Sequence, residues 1–325
     1  MISRGKARAY SNIALIKYWG KRDEKYILPM NSSLSLTVDC FYTETEVVFS
    51  NSYAKDYFYL NGSLQDESAT GKISSFLDLF RKAADIDMKA IVKSTNFVPT
   101  AAGLASSASG FAALAAACNV ASELNVGLRE LSMYARQGSG SAARSIYGGF
   151  VEWQKGTNER DSYAVPVDDA KWDIGMVIVV VNSNAKKVSS REGMKRTVST
   201  SPFYRIWSDK AEEDVKEAKL AIKNRDFEKL GLITERNGLM MHATMLGANP
   251  PILYWEPESV LVMKMVKELR DEGISCYFTM DAGPNVKILC RMSESNRIKE
   301  RLMEVFDEER IIVTGPGPGV VILAL

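Results

Sequence analysis

The segment Pro99-Thr-Ala-Ala-Gly-Leu-Ala-Ser-Ser-Ala-Ser109 constrains this chain more than any other. A run of small residues leads straight into a helical pattern in which Ala108, Phe111, Leu114, Ala115 and Cys118 recur at three- and four-residue spacing. Gly103 lets the backbone turn closely, and Leu104 and Ala105 lead to Ser106 and Ser107 at the helix start. There the unsatisfied N–H groups and the positive dipole end face outward, which suits a phosphate. The hydroxyls of Ser106 and Ser107 could add hydrogen bonds to phosphate oxygens or hold a magnesium ion. A capped helix packed with small residues would read the same way. No Gly-Lys-Ser/Thr follows, so this is not a Walker loop.

The rest of the chain alternates strand and helix signals. Leu34, Leu36, Val38 and Cys40 alternate with Ser35, Thr37 and Asp39, the period of a half-buried strand, and 41–49 continues in the same style. Tyr57–Leu60 meets Asn61-Gly62, a hairpin turn signal. Helical spacing follows over 68–85 and 127–136, with a strand near 89–94. A strand is expected over 147–153 with Gly148-Gly149 inside it, and a buried one over 174–181. Helical patterns then cover 203–222, 226–245, 257–272 and 295–306, with strands near 275–280 and 286–290 and a last one after Gly315-Pro-Gly-Pro-Gly319, itself expected as a terminal turn. This order favours an α+β fold over a doubly wound sheet. The length of 325 residues suggests two domains, 1–183 and 184–325, with a boundary near 183–188.

Forty-one basic residues against 40 acidic ones give a net charge of +1, so no global field draws in nucleic acid or membrane. An anionic ligand must be held by a local cluster. Cys40, Cys118, Cys276 and Cys290 form no CxxC pair and read as thiols of a reducing compartment. No stretch has the length of a membrane span or the form of a signal peptide, so a soluble, cytoplasmic protein is expected.

Several clusters could supply the local charge. Asn12 and Lys17-Tyr18-Trp19-Gly20-Lys21 lie at the end of the first strand and could grip a diphosphate, or be a strand end with solvated lysines. Ser139-Gly140-Ser141 leads to Arg144, whose planar fork suits carboxylates and phosphates. Lys186, Lys187, Ser189, Ser190 and Arg191 make a further basic patch with hydroxyls. Asp281 stands between an apolar strand and a Gly-Pro turn, where it could act as a base, orient a hydroxyl, or merely cap the turn. His242, the only histidine, reads as a structural or partly exposed residue, which disfavours zinc sites and Ser-His-Asp triads.

Taken together, these segments resemble one family. Pro99–Ser109 resembles the phosphate loop of the kinase superfamily named for galactokinase, homoserine kinase, mevalonate kinase and phosphomevalonate kinase (GHMP). Within it, Asn12–Lys21, Pro29-Met-Asn-Ser-Ser-Leu-Ser35, Gly138–Arg144, Met241-His-Ala-Thr244 and Tyr277–Asn285 are similar to the diphosphomevalonate decarboxylase family, with the flavour of Gram-positive bacterial members. One departure is Ala143, where a serine or cysteine is expected. The resemblance implies a two-domain GHMP kinase-like fold whose C-terminal domain has a ferredoxin-like core, with the active site in the cleft between domains. It implies ATP and magnesium as cofactors, mevalonate 5-diphosphate as substrate, and a homodimer. It implies that Asp281, Lys17 and Arg144 are catalytic: Asp281 contacts the 3-hydroxyl, Lys17 lies near the reacting centre and Arg144 holds the carboxylate. Tyr18, Trp19, Gly20, Lys21, Ser139, Gly140, Ser141, Ser190 and Arg191 would surround the substrate, chiefly its diphosphate. Gly103, Leu104, Ala105, Ser106 and Ser107, with Ser94, Asn96, Lys72 and Lys187, would serve ATP, and Ser106 the magnesium. Apart from the resemblance, the stretch 182–200 is basic and joins the domains, so it is expected to be a loop that closes over ATP. A kinase of the same superfamily that phosphorylates without decarboxylating is the alternative, and a non-catalytic binding module is a more distant one.

Overall fold

The computed structural model describes residues 2–97, 107–182 and 187–324. Its elements, in chain order, begin with β1 (Ile2–Ile16), β2 (Lys21–Asp23), β3 (Leu28–Pro29), β4 (Ser33–Ser50), β5 (Tyr57–Leu60), β6 (Ser63–Leu64), α1 (Glu67–Ala84), β7 (Lys89–Phe97), α2 (Ser107–Ala121) and α3 (Leu128–Gly138). A 3-10 helix (Gly140–Ile146) follows, then β8 (Phe150–Trp153), β9 (Ala164–Asp168), β10 (Gly175–Val179), α4 (Ser190–Thr200), α5 (Tyr204–Lys223), α6 (Phe227–Leu246) and α7 (Pro257–Asp271). The chain closes with β11 (Cys276–Met280), β12 (Val286–Cys290), α8 (Ser295–Met303), β13 (Ile311–Thr314) and β14 (Val321–Ile322).

The fold is α+β, built on two large sheets. The first has the order β14-β1-β4-β7-β5-β6, with β8 and β9 continuing from β4. Asn61-Gly62 makes the β5–β6 hairpin, both residues at positive φ as a tight two-residue turn requires. The second sheet has the order β11-β12-β10-β13, all antiparallel. With α7 before β11 and α8 before β13, this is the β-α-β-β-α-β arrangement of a ferredoxin-like unit. The change of sheet therefore falls between β9 and β10, ahead of residues 183–188. An apolar run such as Met176–Val181 tells that it is buried, not which sheet buries it.

A helical layer joins the sheets. Leu34 and Leu36 of β4, Trp207 and Ala211 of α5, Leu230 and Met241 of α6, and Met176 and Ile178 of β10 share one core. The opposite face of β10, with Val177 and Val179, packs on Val262 and Val266 of α7 and Ile298 of α8. So the second sheet is covered on both faces: β10, β11 and β12 are buried along their whole length, and β10 reads as an unbroken apolar run. Ser33–Val38 is buried on both faces, although the sequence alternates there as if half-exposed: the helical layer covers Leu34, Leu36 and Val38, and the 3-10 helix with Tyr147 lies against Ser33 and Thr37. Ser33 and Thr37 stay satisfied by bonding Arg144 and the Tyr147 carbonyl. True in-and-out burial begins only after residue 40.

Four further expectations need correcting. Gly148-Gly149 precedes β8 and lies outside it, with Gly149 at positive φ. Residues 315–319 are no terminal turn: they run alongside β4, where Val38 bridges Pro316 and Gly317 N–H bonds the Thr37 carbonyl, before β14 adds to β1. β9 and β13 escape notice because each is a short edge strand, and β9 carries Pro166. Residues 190–200 form a helix and not a loop; Ser189 caps it by accepting from Glu192 N–H, and the Ser-x-x-Glu spacing was the available signal.

Helix α2 is buried nearly all round, and its alanines are the reason it can be. Small side chains let it lie flat on β1, so close that a Cβ on Gly5 would stand 2.3 Å from the Ala117 carbonyl oxygen and 2.8 Å from Ala121 N. Backbone cannot yield there as a side chain could. Gly5→Ala is expected to destabilise the protein by about 1–3 kcal/mol through overpacking, read as a lower midpoint in urea denaturation.

Candidate active site

The end of β1, the start of α2, the 3-10 helix, α4, α6 and the turn after β11 converge on one cavity of about 300 Å³. Lys17, Tyr18, Trp19 and Lys21 line it from the β1 end, Ser107 from α2, and Ser139, Gly140, Ser141 and Arg144 from the 3-10 helix. Ser190, Arg191 and Met194 of α4, Met241 of α6, and Asp281 complete it. Segments far apart in the chain thus line one cavity.

Asp281 is the centre. Its carboxylate does not cap its own turn. Oδ1 accepts from Lys17 Nζ at 2.8 Å and Oδ2 is 3.1 Å from Lys287 Nζ. Both lysine side chains are buried, at 2% and 3% exposure, while that of Asp281 is 41% exposed to the cleft. Each ammonium also donates to a carbonyl, Lys17 to Ala14 and Lys287 to Asn285. Burial would raise the Asp281 pKa, but the two ammonium groups outweigh it and hold the carboxyl well below the usual range. Burial pushes Lys17 down, Asp281 pulls it back up, and it settles at about 8.

Arg144 is also buried, which lowers it to about 10. Nε donates to Asn12 Oδ1 and Nη1 to Ser33 Oγ, which fixes the guanidinium plane. Asn12 in turn donates to the Ser141 carbonyl and the Ser145 hydroxyl. Ala143 does not line the cavity; it packs with Ile27, Val151 and Trp153, so a side-chain donor there is not missed. Tyr18 packs edge-on against Trp153, and burial raises its phenol pKa. Lys21 is held 2.6 Å from exposed Glu24. Gly20 has φ +115° and turns beside the Tyr204 hydroxyl, outside the cavity lining.

The remaining expected residues divide. Gly103, Leu104, Ala105, Ser106 and Lys186 lie outside the described residues. Ser94 and Asn96 face into the sheet, bonded to Thr45 and Thr43, and Lys72 and Lys187 are exposed; none of the four lines the cavity. His242 is neither exposed nor in the cavity: it is 4% exposed, and burial with the nearby Lys17 charge pushes it down to about 3. Sequence reading missed Lys287. Its signal was a lone lysine inside the apolar strand Val286–Cys290, where an ammonium must find a carboxylate.

Three cations face one carboxylate, so the pocket carries an unbalanced positive charge that asks for an anion. The serine hydroxyls and Arg191 extend that preference along the cavity toward the α2 N-terminus. Fold and site together define a cleft enzyme that acts on small anionic ligands, with a ferredoxin-like unit supplying the carboxylate and the large sheet most of the cations.

Comparison with known proteins gives the lineage. Residues 9–164 match the model of the diphosphomevalonate decarboxylase-like N-terminal domain, and 176–315 that of the mevalonate 5-diphosphate decarboxylase C-terminal domain. The diphosphomevalonate decarboxylase of Candida albicans is 37% identical over 95% of this chain and 94% of its own length. The human one is 39% identical over 85% of this chain and 74% of its own. Among solved structures, mevalonate diphosphate decarboxylase from Staphylococcus aureus is 52% identical with a TM-score of 0.97, covering 100% of this chain and 99% of that one. MDDEF in complex with MVAPP, AMPPCP and magnesium is 53% identical with a TM-score of 0.95, each chain covered completely at 100%. The chain belongs to the diphosphomevalonate decarboxylase family.

The Lys17 environment has a consequence for stability. Between its folded pKa of about 8 and its ordinary 10.5, the unfolded chain binds more protons at this position than the folded one. This group's contribution therefore rises with pH across that window and is lost as pH falls through 8. Urea denaturation of Lys17→Met against the parent at several pH values from 8 to 10.5 should show the parent gaining stability with pH relative to the variant.

Proposed function

We propose that the protein catalyses the ATP-dependent decarboxylation of (R)-mevalonate 5-diphosphate to isopentenyl diphosphate, releasing ADP, phosphate and carbon dioxide, in the mevalonate pathway of isoprenoid biosynthesis. The observation that carries this reading is the single ionised carboxylate, Asp281, held among Lys17, Lys287 and Arg144 at the floor of a hydroxyl-lined cleft. Relatives solved with MVAPP, AMPPCP and magnesium support it.

The chemistry explains the residues. A tertiary hydroxyl leaves poorly, so it is phosphorylated by ATP; its departure builds positive charge, and the substrate carboxylate is then lost as carbon dioxide. Asp281 accepts the hydrogen bond of that hydroxyl and sets its direction. Held far below the ordinary carboxylate range, it is a weak base at rest, so orientation and charge are its main work and it takes the proton only as the new bond forms. Lys17 and Lys287 keep it ionised. Arg144, with its plane fixed by Asn12 and Ser33, clamps the carboxylate. Tyr18, Lys21, Ser139, Ser190 and Arg191 hold the 5-diphosphate, with Trp19, Gly20, Gly140 and Ser141 shaping the wall.

Ser107, at the α2 start, serves the ATP phosphates together with Gly103, Leu104, Ala105 and Ser106. Among the described residues no three His, Cys, Asp or Glu side chains gather as a metal site. The hydroxyls of Ser106 and Ser107 would hold a magnesium ion together with phosphate oxygens and water, and the ion would offset phosphate charge. Ser94, Asn96, Lys72 and Lys187 are assigned to the nucleotide on resemblance alone.

The identities of 52% to the Staphylococcus aureus and Enterococcus faecalis enzymes support a type like theirs, although the Streptococcus pyogenes enzyme, at 39%, is no nearer than the human one. The protein acts as a cytoplasmic homodimer; the four unpaired cysteines support the compartment.

Purified protein given ATP, magnesium and mevalonate 5-diphosphate is expected to release carbon dioxide and ADP in equal amounts. ADP alone would make it a kinase instead. Asp281→Asn should bind nucleotide as the parent does and lose turnover by at least about 10²-fold. Arg144→Lys should raise KM for the substrate, because a planar fork becomes a point charge; unchanged kinetics would remove Arg144 from the site.

A further inference from the structure

Lys17 is the first residue past β1, and two buried amides grip its backbone. Its N–H donates to Asn237 Oδ1 at 2.9 Å, and its carbonyl accepts from Asn31 Nδ2 at 2.8 Å. Asn31 and Asn237 are both 0% exposed. An amide can present either end, so something must decide which way Asn237 points. Asp214 does: its Oδ2 accepts from Asn237 Nδ2 at 2.9 Å, which turns Oδ1 toward Lys17. Asp214 is itself wholly buried on α5 and anchored by Arg236 at 2.6 Å and Lys210 at 3.7 Å.

The next residue makes the approach of α6 possible. A Cβ on Gly238 would stand 2.9 Å from Thr279 Oγ1 and 3.7 Å from Lys17 Cε. So α6 lies directly against both the lysine stem and the strand that delivers Asp281. A hydrogen-bonded line runs from Asp214 through Asn237 to Lys17 and on to Asp281, across both halves of the chain. Nothing in the proposed reaction requires Asn237 to touch a ligand, and it does not line the cavity.

We propose that Asn237, oriented by Asp214, is a positioning residue for Lys17, fixing where the ammonium meets the Asp281 carboxylate. The proposal rests on the function proposed above in giving Lys17 a role in the reaction. A mere polar plug would fill the same volume without setting the state of Lys17. Lys17 is faced by Asp281 from the turn after β11, Lys287 from β12, Arg144 from the 3-10 helix and His242 from α6. If the clamp loosens, the stem can swing toward water and lose part of the burial that lowers its pKa.

The test follows Lys17 itself. Competitive acylation of the whole protein with acetic anhydride at graded pH, read by peptide mass spectrometry, reports the titration of Lys17 with or without activity. In the parent it should titrate near 8, with the alkaline limb of kcat at the same pH. Asn237→Leu should move both upward and lower kcat by about 10²-fold while KM for ATP stays near the parent value. Asn237→Asp alone sets two buried carboxylates against each other and should lose turnover as well. Adding Asp214→Asn exchanges the pair, restores every hydrogen bond of the line and should recover most of the lost turnover, with Lys17 titrating somewhat above the parent because a carboxylate now stands beside it. A folded Asn237→Leu with the parent profile and parent kcat would overturn the proposal. If that variant does not fold, an exchanged pair no better than Asn237→Asp overturns it equally. Absence of carbon dioxide release from the parent would strike the proposed function, and the acylation profiles would still decide the clamp.

Discussion

The pairing of Lys17 with Asp281 is the contact on which the site depends. The two residues lie 264 apart in the chain, on different sheets, and their charged atoms meet at 2.8 Å. An ammonium as buried as Lys17 costs several kcal/mol if left unpaired. The halves of the molecule must therefore be docked closely enough for Asp281 to reach it. The layer of α5 and α6 does this docking, with apolar faces toward both sheets and the buried Asn237–Asp214 pair where it meets Lys17. Stability and site geometry are in this sense the same requirement.

Charge explains why the chain as a whole can be nearly neutral while its cleft is not. Forty-one cations and 40 anions are spread over the molecule, and many of them pair at the surface, where each pair contributes little. Inside the cleft three cations share one carboxylate in a setting that screens them poorly. The imbalance is kept for ligands carrying phosphates and a carboxylate. Burial, not a basic neighbour, is the leading influence on Lys17 and Arg144.

Close backbone approach is the second theme. The alanines of α2 and Gly5 let a helix press on β1, and this directs the first turn of α2 at the cavity. Gly238 does the same for α6 against Lys17 and Thr279. In both cases a missing side chain is what allows a helix to deliver backbone or amide groups to the site.

By itself the sequence determined most of the element types and pointed to many of the residues that line the cavity. The helical spacing over α1, α2, α5 and α6, the Asn-Gly hairpin, the serine-rich start of α2 and the clusters around Lys17, Arg144 and Asp281 are local patterns, and local patterns survive without tertiary context. Short edge strands such as β9 and β13 carry too little periodicity to be seen. Only the tertiary structure decided that β10 belongs to the second sheet, that Ser33–Val38 is covered on both faces, and that His242 is buried. It alone joined Lys287 to Asp281, and Asp214 through Asn237 to Lys17, because a buried polar group finds its partner through packing between distant segments and no spacing along the chain encodes that meeting.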